Sequence, residues 1–199
     1  MARTELAGWL SHTRRRAYVA LAIFVLAGLP LYLWFKSALH APEEKLLLYN
    51  SQAPVLEGPT LSGADFNSLL YGGRVLVYVF VDPRFESASR LGTMIRAWNE
   101  RWADGRALVI PVLVGGDDKV RQDWAARFAV KLTRVVIDRT GKLCARFLVL
   151  DPPVIYVIDG TGKVRFAAPA SEMSEDKKLA ATVEKYLASP TRRFDRSPP

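Results

Sequence analysis

Cysteine and histidine are almost missing from this chain of 199 residues, which has one Cys and two His. A single cysteine, Cys144, excludes an internal disulfide and any dithiol–disulfide cycle within one chain. Both histidines, His12 and His40, precede Ala41, so everything after that residue lacks an imidazole. A Ser-His-Asp triad, a Cys-His pair or a His-rich zinc site is therefore excluded from the long C-terminal part. The glycine turns at 115–116 and 160–162 have no phosphate-loop pattern, and no internal repeat is present. Neither a cofactor nor a metal is expected. What the chain does have is apolar residues, at 50% of the sequence, which excludes wholesale disorder. Its length suits one domain of roughly 150 residues with additional segments.

One of those segments is AYVALAIFVLAGLPLYLWF, residues 17–35, which carries no charge. As a helix it would extend about 28 Å, close to the hydrocarbon thickness of a bilayer. Arg14, Arg15 and Arg16 precede it, Lys36 follows, and Tyr32, Trp34 and Phe35 suit a headgroup interface. A cleaved signal peptide is the rival reading. The length of the run, the lysine directly after it and the poor cleavage signal Leu39-His40-Ala41 all oppose that. The expectation is a cytoplasmic N-terminus (1–16), a transmembrane helix in contact with lipid (17–35), and a main domain on the far side. In a bacterium this means the inner membrane, with the domain in the periplasm.

The formal charge of +8 first suggests nucleic acid or an acidic surface. Its distribution argues otherwise. Arg3, Arg14, Arg15 and Arg16 stand against Glu5 before the apolar run, and Arg192, Arg193 and Arg196 stand against Asp195 near the C-terminus. The basic excess is thus largely an orientation determinant and a tail. No stripe of basic residues with interleaved aromatics is present, so no nucleic-acid partner is expected.

After a connector, residues 36–50, a domain is expected over 51–188 and a flexible, Pro-containing tail over 189–199. Residues 53–63 (APVLEGPTLSG) have the alternation and punctuation of a hairpin, and 65–71 suggest a short helix. RVLVYVFV (74–81) is a continuous β-branched and aromatic run, the pattern of a strand buried on both faces. Leu91, Met94, Ile95, Trp98 and Trp102 recur at helical spacing. ALVIPVLV (107–114) is a second strand, in which Pro111 argues for an edge or a bulge. A helix over 117–130, a short strand over 135–137, a hairpin joining 154–159 to 164–168, and a helix over 174–187 complete the series. This order predicts an α/β sandwich with an antiparallel edge. The aromatics Trp98, Trp102, Trp124 and Phe128 are expected in its core.

APVLEGPTLSG, RVLVYVFV and VVIDRTGKLCARFLVLDPPVIYVIDGTGKV together resemble membrane-anchored thioredoxin-like proteins of the redoxin branch. That branch includes the cytochrome c maturation thioredoxins and the peroxiredoxins. The likeness covers roughly 50–188 and is best at 135–164, in Asp138, Gly141, Pro153, Ile158-Asp159 and Gly162. It implies a thioredoxin-like sandwich, a central mixed sheet with flanking helices. It further implies a cis-proline loop at Pro152, Pro153 and Val154 that binds an extended partner segment. The position before the proline, often Thr in such relatives, is Pro152 here, which supplies no hydroxyl.

In that family a Trp-Cys-x-x-Cys opens the helix after the first long strand, where the helix N-terminus lowers a thiol pKa. Here the text is DPRFESASR. One register puts Phe85 and Ala88 at the cysteine positions, another Glu86 and Ser89. A peroxiredoxin register using Pro83 and Ser87 puts Arg90 at the peroxidatic cysteine. No register supplies a thiol, so the site is expected to be degenerate and without catalytic residues. The cluster Asp82, Arg84, Glu86 and Arg90 is expected to be a helix end with a local ion pair. Cys144, near Leu143 and Phe147, is expected to be a small buried hydrophobe; an intermolecular disulfide is the alternative.

The resemblance and the empty site together suggest a non-catalytic, membrane-tethered domain that works by protein contact. It would be an accessory subunit or assembly factor of a membrane complex. The alternative is a thiol–disulfide or other redox enzyme using Cys144 or a non-cysteine site.

Overall fold

The computed structural model describes residues 46–169 and 176–188. The expected cytoplasmic segment 1–16, the apolar run 17–35 and the tail 189–199 lie outside the described residues, as do both histidines. Among the described residues no helix is long and apolar enough to cross a membrane.

The organising element is β3, Val75–Val81, whose seven residues are all buried. It lies at the centre of a five-stranded sheet. Side chains alternate across a strand, and here both faces are covered. Val75, Val77, Val79 and Val81 belong to one apolar cluster, and Leu76, Tyr78 and Phe80 to a second. That is why the sequence of this strand shows no polar alternation. On one side β3 pairs in parallel with β4 (Ala107–Val114), which pairs in parallel with β5 (Val136–Asp138). On its other side it pairs antiparallel with β6 (Val154–Ile158), followed by β7 (Val164–Pro169). The sheet order is thus β5-β4-β3-β6-β7, with a separate hairpin of β1 (Glu57–Pro59) and β2 (Asp65–Asn67).

Helices α1 (Ser87–Arg101), α2 (Asp118–Arg127) and α4 (Asp176–Ala188) supply residues to the first cluster. The short α3 (Lys142–Arg146) and the following Phe147 cover the other face. Trp98, Trp102 and Trp124 are core, as expected: Trp98 and Trp102 stack at 6.4 Å between centroids, and all three are buried. The Trp102 Nε1–H donates to Glu184 at 3.1 Å, and that of Trp124 donates to the Ala88 carbonyl at 3.0 Å.

Three expectations need correction. Residues 65–71 do not form one helix: 65–67 are a strand, and only Ser68–Tyr71 make a single 3-10 turn. Asn67 Oδ1 accepts from the Leu69 N–H at 2.9 Å, and the Ser68 hydroxyl accepts from the Leu56 N–H at 3.0 Å. These local bonds compete with helix formation. The hairpin is displaced with them, pairing 57–59 with 65–67 instead of closing within 53–63. Pro111 sits in regular register opposite Val79, in a strand flanked on both sides. It is tolerated because β5 pairs only with Val112–Val114, so a missing N–H at 111 costs no ladder bond on that side.

Leu46 and Leu47, placed in the connector by sequence, pack on the second cluster. Next to them Arg165 lies over the rings of Tyr49 and Tyr186, at 5.9 and 5.0 Å from the centroids. Its Nε donates to Asp159 at 2.6 Å and its Nη1 to Asn50 at 2.7 Å. The incoming chain is thereby fixed to β7 and α4 by one guanidinium.

The contact of α1 with α2 depends on Gly92. A Cβ built there would lie 2.2 Å from Phe128 Cδ2, a distance that real side chains do not adopt. Replacing Gly92 by Ala therefore overpacks this contact, at about 1–3 kcal/mol, only partly offset by about 1 kcal/mol of improved helix propensity. Chemical denaturation should show a net loss of stability for Gly92→Ala and a larger one for Gly92→Val.

Candidate functional site

In a sheet of this kind the carboxyl ends of the parallel strands gather the loops with chemical potential. Here those ends are Val81, Val114 and Asp138. Because Val154 pairs with Phe80, the Asp151–Pro153 segment that enters β6 lies at the same end, beside the chain that leaves β3. The Pro152–Pro153 peptide is cis. The degenerate stretch 82–90 and the proline loop, far apart in sequence, are thus brought to one edge of the sheet.

Within that stretch the residues divide by exposure. Phe85 is 54% exposed and Ala88 1%. Glu86 and Arg90 are exposed and Ser89 half-buried. Glu86 sits at the N-cap with helical backbone angles and makes no side-chain cap bond. The two registers for the missing cysteines therefore differ physically. In one, an outward phenyl ring and an inward methyl occupy the two positions; in the other, a solvated carboxylate and a half-buried hydroxyl do. Neither supplies a thiol.

The strongest polar interaction at this edge is between Asp82 and Arg84. Arg84 Nε donates to Asp82 Oδ1 at 3.0 Å and to Oδ2 at 3.2 Å, and Nη2 donates to Oδ2 at 2.6 Å. The Arg84 backbone N–H adds a further bond to Oδ1 at 3.0 Å. Burial alone would raise the Asp82 carboxyl, but these bonds and the charges of Arg84 and Arg121 outweigh it and hold the group below its ordinary value. Of the charged group expected here, Asp82 and Arg84 form the ion pair.

A second set of contacts was not legible as a site. Gly115 follows β4 with φ of 74°, and a Cβ there would stand 2.6 Å from Arg84 Nη2 and 2.7 Å from Asp82 Oδ2. Glycine is required both for the backbone conformation and for the close approach of the pair. The buried Arg121 side chain donates to the Gly115 carbonyl at 2.9 Å and to Asp118 Oδ1 at 2.9 Å. Asp118 accepts again from Arg139 at 2.8 Å. Alternating charges therefore rim the edge from β3 to β5. The only hint in the sequence was a Gly-Gly pair directly after a buried strand.

Cys144 is elsewhere. It belongs to the second apolar cluster, on the face of β3 opposite α1. Its backbone N–H donates to Asp138 Oδ2 at 2.8 Å. Burial, with the neighbouring Asp138 charge, pushes the thiol up to about 12. A thiol so placed is almost entirely protonated at neutral pH and is a poor nucleophile. Its burial also opposes the intermolecular disulfide. Among the described residues no cluster of His, Cys, Asp and Glu is suited to hold a metal ion.

The Asp82–Arg84–Gly115 contact makes two expectations. A carboxyl lowered in the folded state stabilises the fold above its ordinary value of 3.8, and that contribution is lost as pH falls through the lower folded value. Asp82→Asn should therefore be less stable than the parent above about pH 5, and the difference should shrink as both are acidified. Gly115→Ala should be destabilised at every pH by the left-handed backbone, about 1–2 kcal/mol, and should in addition reduce the pH-dependent part. Urea denaturation as a function of pH checks both.

Comparison with known proteins supports the architecture. No family model matches the sequence, and no curated protein matches it. Solved structures do. A thioredoxin-family thiol:disulfide interchange protein from Chlorobium tepidum superposes with a TM-score of 0.59 at 18% identity, over 71% of this chain and 99% of that one. The thioredoxin domain of a thiol-disulfide oxidoreductase from Bacteroides vulgatus gives 0.60 at 19% identity, over 71% and 99%. A secreted Mycobacterium tuberculosis disulfide oxidoreductase homologous to E. coli DsbE gives 0.57 at 20%, over 65% and 95%. The described domain has the thioredoxin-like α/β fold of such thiol:disulfide oxidoreductases, in a chain whose single cysteine leaves it without a Cys-x-x-Cys.

Proposed function

We propose that this protein is a membrane-tethered thioredoxin-like domain that acts by protein contact, as an accessory subunit or assembly factor of a membrane complex. The observation that carries the reading is the edge at 82–90. The scaffold is complete there, with helix start, preceding strand and cis-proline loop in place, but the thiol positions hold Phe85 and Ala88 or Glu86 and Ser89. Without a thiolate, disulfide exchange has no nucleophile. Cys144 does not substitute for it, being buried on the other face with a raised pKa.

What the edge retains is suited to binding. Phe85 is exposed at the helix start, and Leu148 and Leu150, 44% and 68% exposed, precede the proline loop. Exposed apolar side chains flanking a rigid loop can anchor an extended segment of a partner, with the ion pair of Asp82 and Arg84 as a fixed polar rim. The uncharged run at 17–35 and its basic flank support the tether, and with it an inner-membrane, extracytoplasmic location in a bacterium.

Photo-crosslinking from positions 85 and 150 in detergent-solubilised membranes tests the reading. One defined membrane-protein partner should be captured, and the adduct should be lost when Leu150 is replaced by Lys in the chain probed from 85. Recovery of the monomer alone would oppose the reading. Cys144→Ala should retain full function in a deletion strain, and the purified protein should not reduce insulin disulfides; activity that depends on Cys144 would establish the redox alternative.

A further inference from the structure

The end of the sheet opposite the degenerate site has a different composition. It is built from the start of β3, the 102–106 loop before β4, the 3-10 turn Leu132–Arg134, and the β6–β7 turn at 159–163. The pairing fixes this grouping: Val75 is level with Ala107 and Leu76 with Ile158, and the Gly73 N–H donates to the Gly160 carbonyl at 3.0 Å. The 3-10 turn joins it because Lys131 and Arg134 line one small cavity with Ala103 and Gly105.

Two properties coincide at this end. Among the described residues Arg74, Lys131, Arg134 and Lys163 have no carboxylate within ion-pair distance, whereas of the local acids only Glu100 lacks an ion pair. Asp104 is bound by Arg106, Glu184 by Arg101 and Asp159 by Arg165. The exposed edge is therefore net positive. Large apolar side chains stand out into solvent beside it: Leu69 is 69% exposed and Leu70 80%, on the turn that leads into Gly73 and Arg74, and Leu132 lies between Lys131 and Arg134. Basic residues interleaved with projecting leucines suit the boundary between anionic headgroups and acyl chains. The opposite end has no such excess: Asp82, Glu86, Asp117, Asp118 and Asp151 stand there among Arg84, Arg90, Lys119, Arg121 and Arg139.

Helix α4 also ends here: Tyr186 and Leu187 line a second cavity of about 240 Å³ with Gly73, Arg74 and Arg106. On the N-terminal side, residues 36–45 can span at most about 40 Å between Phe35 and Leu46. A domain held so close to a bilayer meets it at high local concentration.

We propose that this basic, leucine-studded end docks on an anionic lipid surface, leaving the degenerate site and its proline loop facing away from the membrane. The proposal rests on the tether by residues 17–35 and adds an orientation to it. In the full chain carrying Cys144→Ala, a fluorophore is attached through Ala103→Cys at the basic end or Lys119→Cys at the opposite end. The chain is reconstituted in phosphatidylcholine vesicles with or without phosphatidylglycerol, with spin-labelled headgroups as quencher. Flotation under alkaline conditions reports insertion.

The reporter at 103 should be quenched in the phosphatidylglycerol vesicles and released at high salt, while that at 119 stays unquenched. Lys131→Glu with Arg134→Glu should lower the docked-to-undocked ratio at least about fivefold per reversed charge, with circular dichroism melts matching the parent. Insertion with equal quenching at both positions, or with quenching at 103 that ignores lipid charge and salt, overturns the docking alone. Loss of flotation overturns the tether, and the docking with it.

Discussion

Everything in this fold depends on β3 being buried on both faces. A strand of seven residues with no exposed position cannot stand at the surface of any sheet, so it must be central, and both of its faces must be covered. Each buried Val, Leu or Phe contributes roughly 1.5–3 kcal/mol, which makes the two covering layers obligatory rather than decorative. The valines at 75, 77, 79 and 81 take the face with α1, α2 and α4, and Leu76, Tyr78 and Phe80 take the face with α3. That one alternation separates the chain's chemistry into two compartments. The helix start that would hold a thiolate lies with one face, and the only thiol with the other.

This separation keeps Cys144 away from the helix start. A helix N-terminus stabilises a thiolate, and Cys144 is denied that setting by the side of the sheet it occupies. Where the thiol positions fall, polar order has been kept by other means. The Asp82–Arg84 pair, the close approach of Gly115 and the buried Arg121 form a fixed charged rim. Because the Asp82 carboxylate is buried while Arg84 is largely solvated, the pair orients the loop more than it stabilises the domain. The loop so ordered carries an exposed phenyl ring, Phe85, at the same edge as the cis-proline turn.

Much of the architecture was legible in the sequence because it is written in periodicity. The β3 run, the helical spacing of Leu91, Ile95, Trp98 and Trp102, and the hairpin turning at Gly160–Gly162 are each local patterns that tertiary structure reinforces. What could not be read are features whose cause is nonlocal or stereochemical. Residues 65–71 fail as a helix because Asn67 and Ser68 spend their side chains on nearby backbone groups. Pro111 is acceptable inside β4 only because β5 is three residues long. The role of Gly115 becomes visible only when Arg84 is placed against it. The clamp of Tyr49, Arg165 and Tyr186 joins residues 137 positions apart, which no window of sequence can show. At the site, the absence of a thiol was certain from composition, whereas the charged rim that stands in its place required coordinates.

The clamp matters for more than the boundary of the domain. Arg165 holds Tyr49 and Asn50 at the β7 side and Tyr186 on α4, so the chain entering the domain and the helix that ends it are fastened to the same group. Asp159, held below its ordinary value by Thr161, Lys163 and Arg165 against the opposing effect of burial, completes the fastening from the β6–β7 turn. Three segments of the chain therefore converge at the end of the sheet opposite the degenerate site. Through Arg165 the first described segment, the β6–β7 turn and the last helix are therefore fastened as one block, at the end of the sheet away from Phe85 and the proline loop.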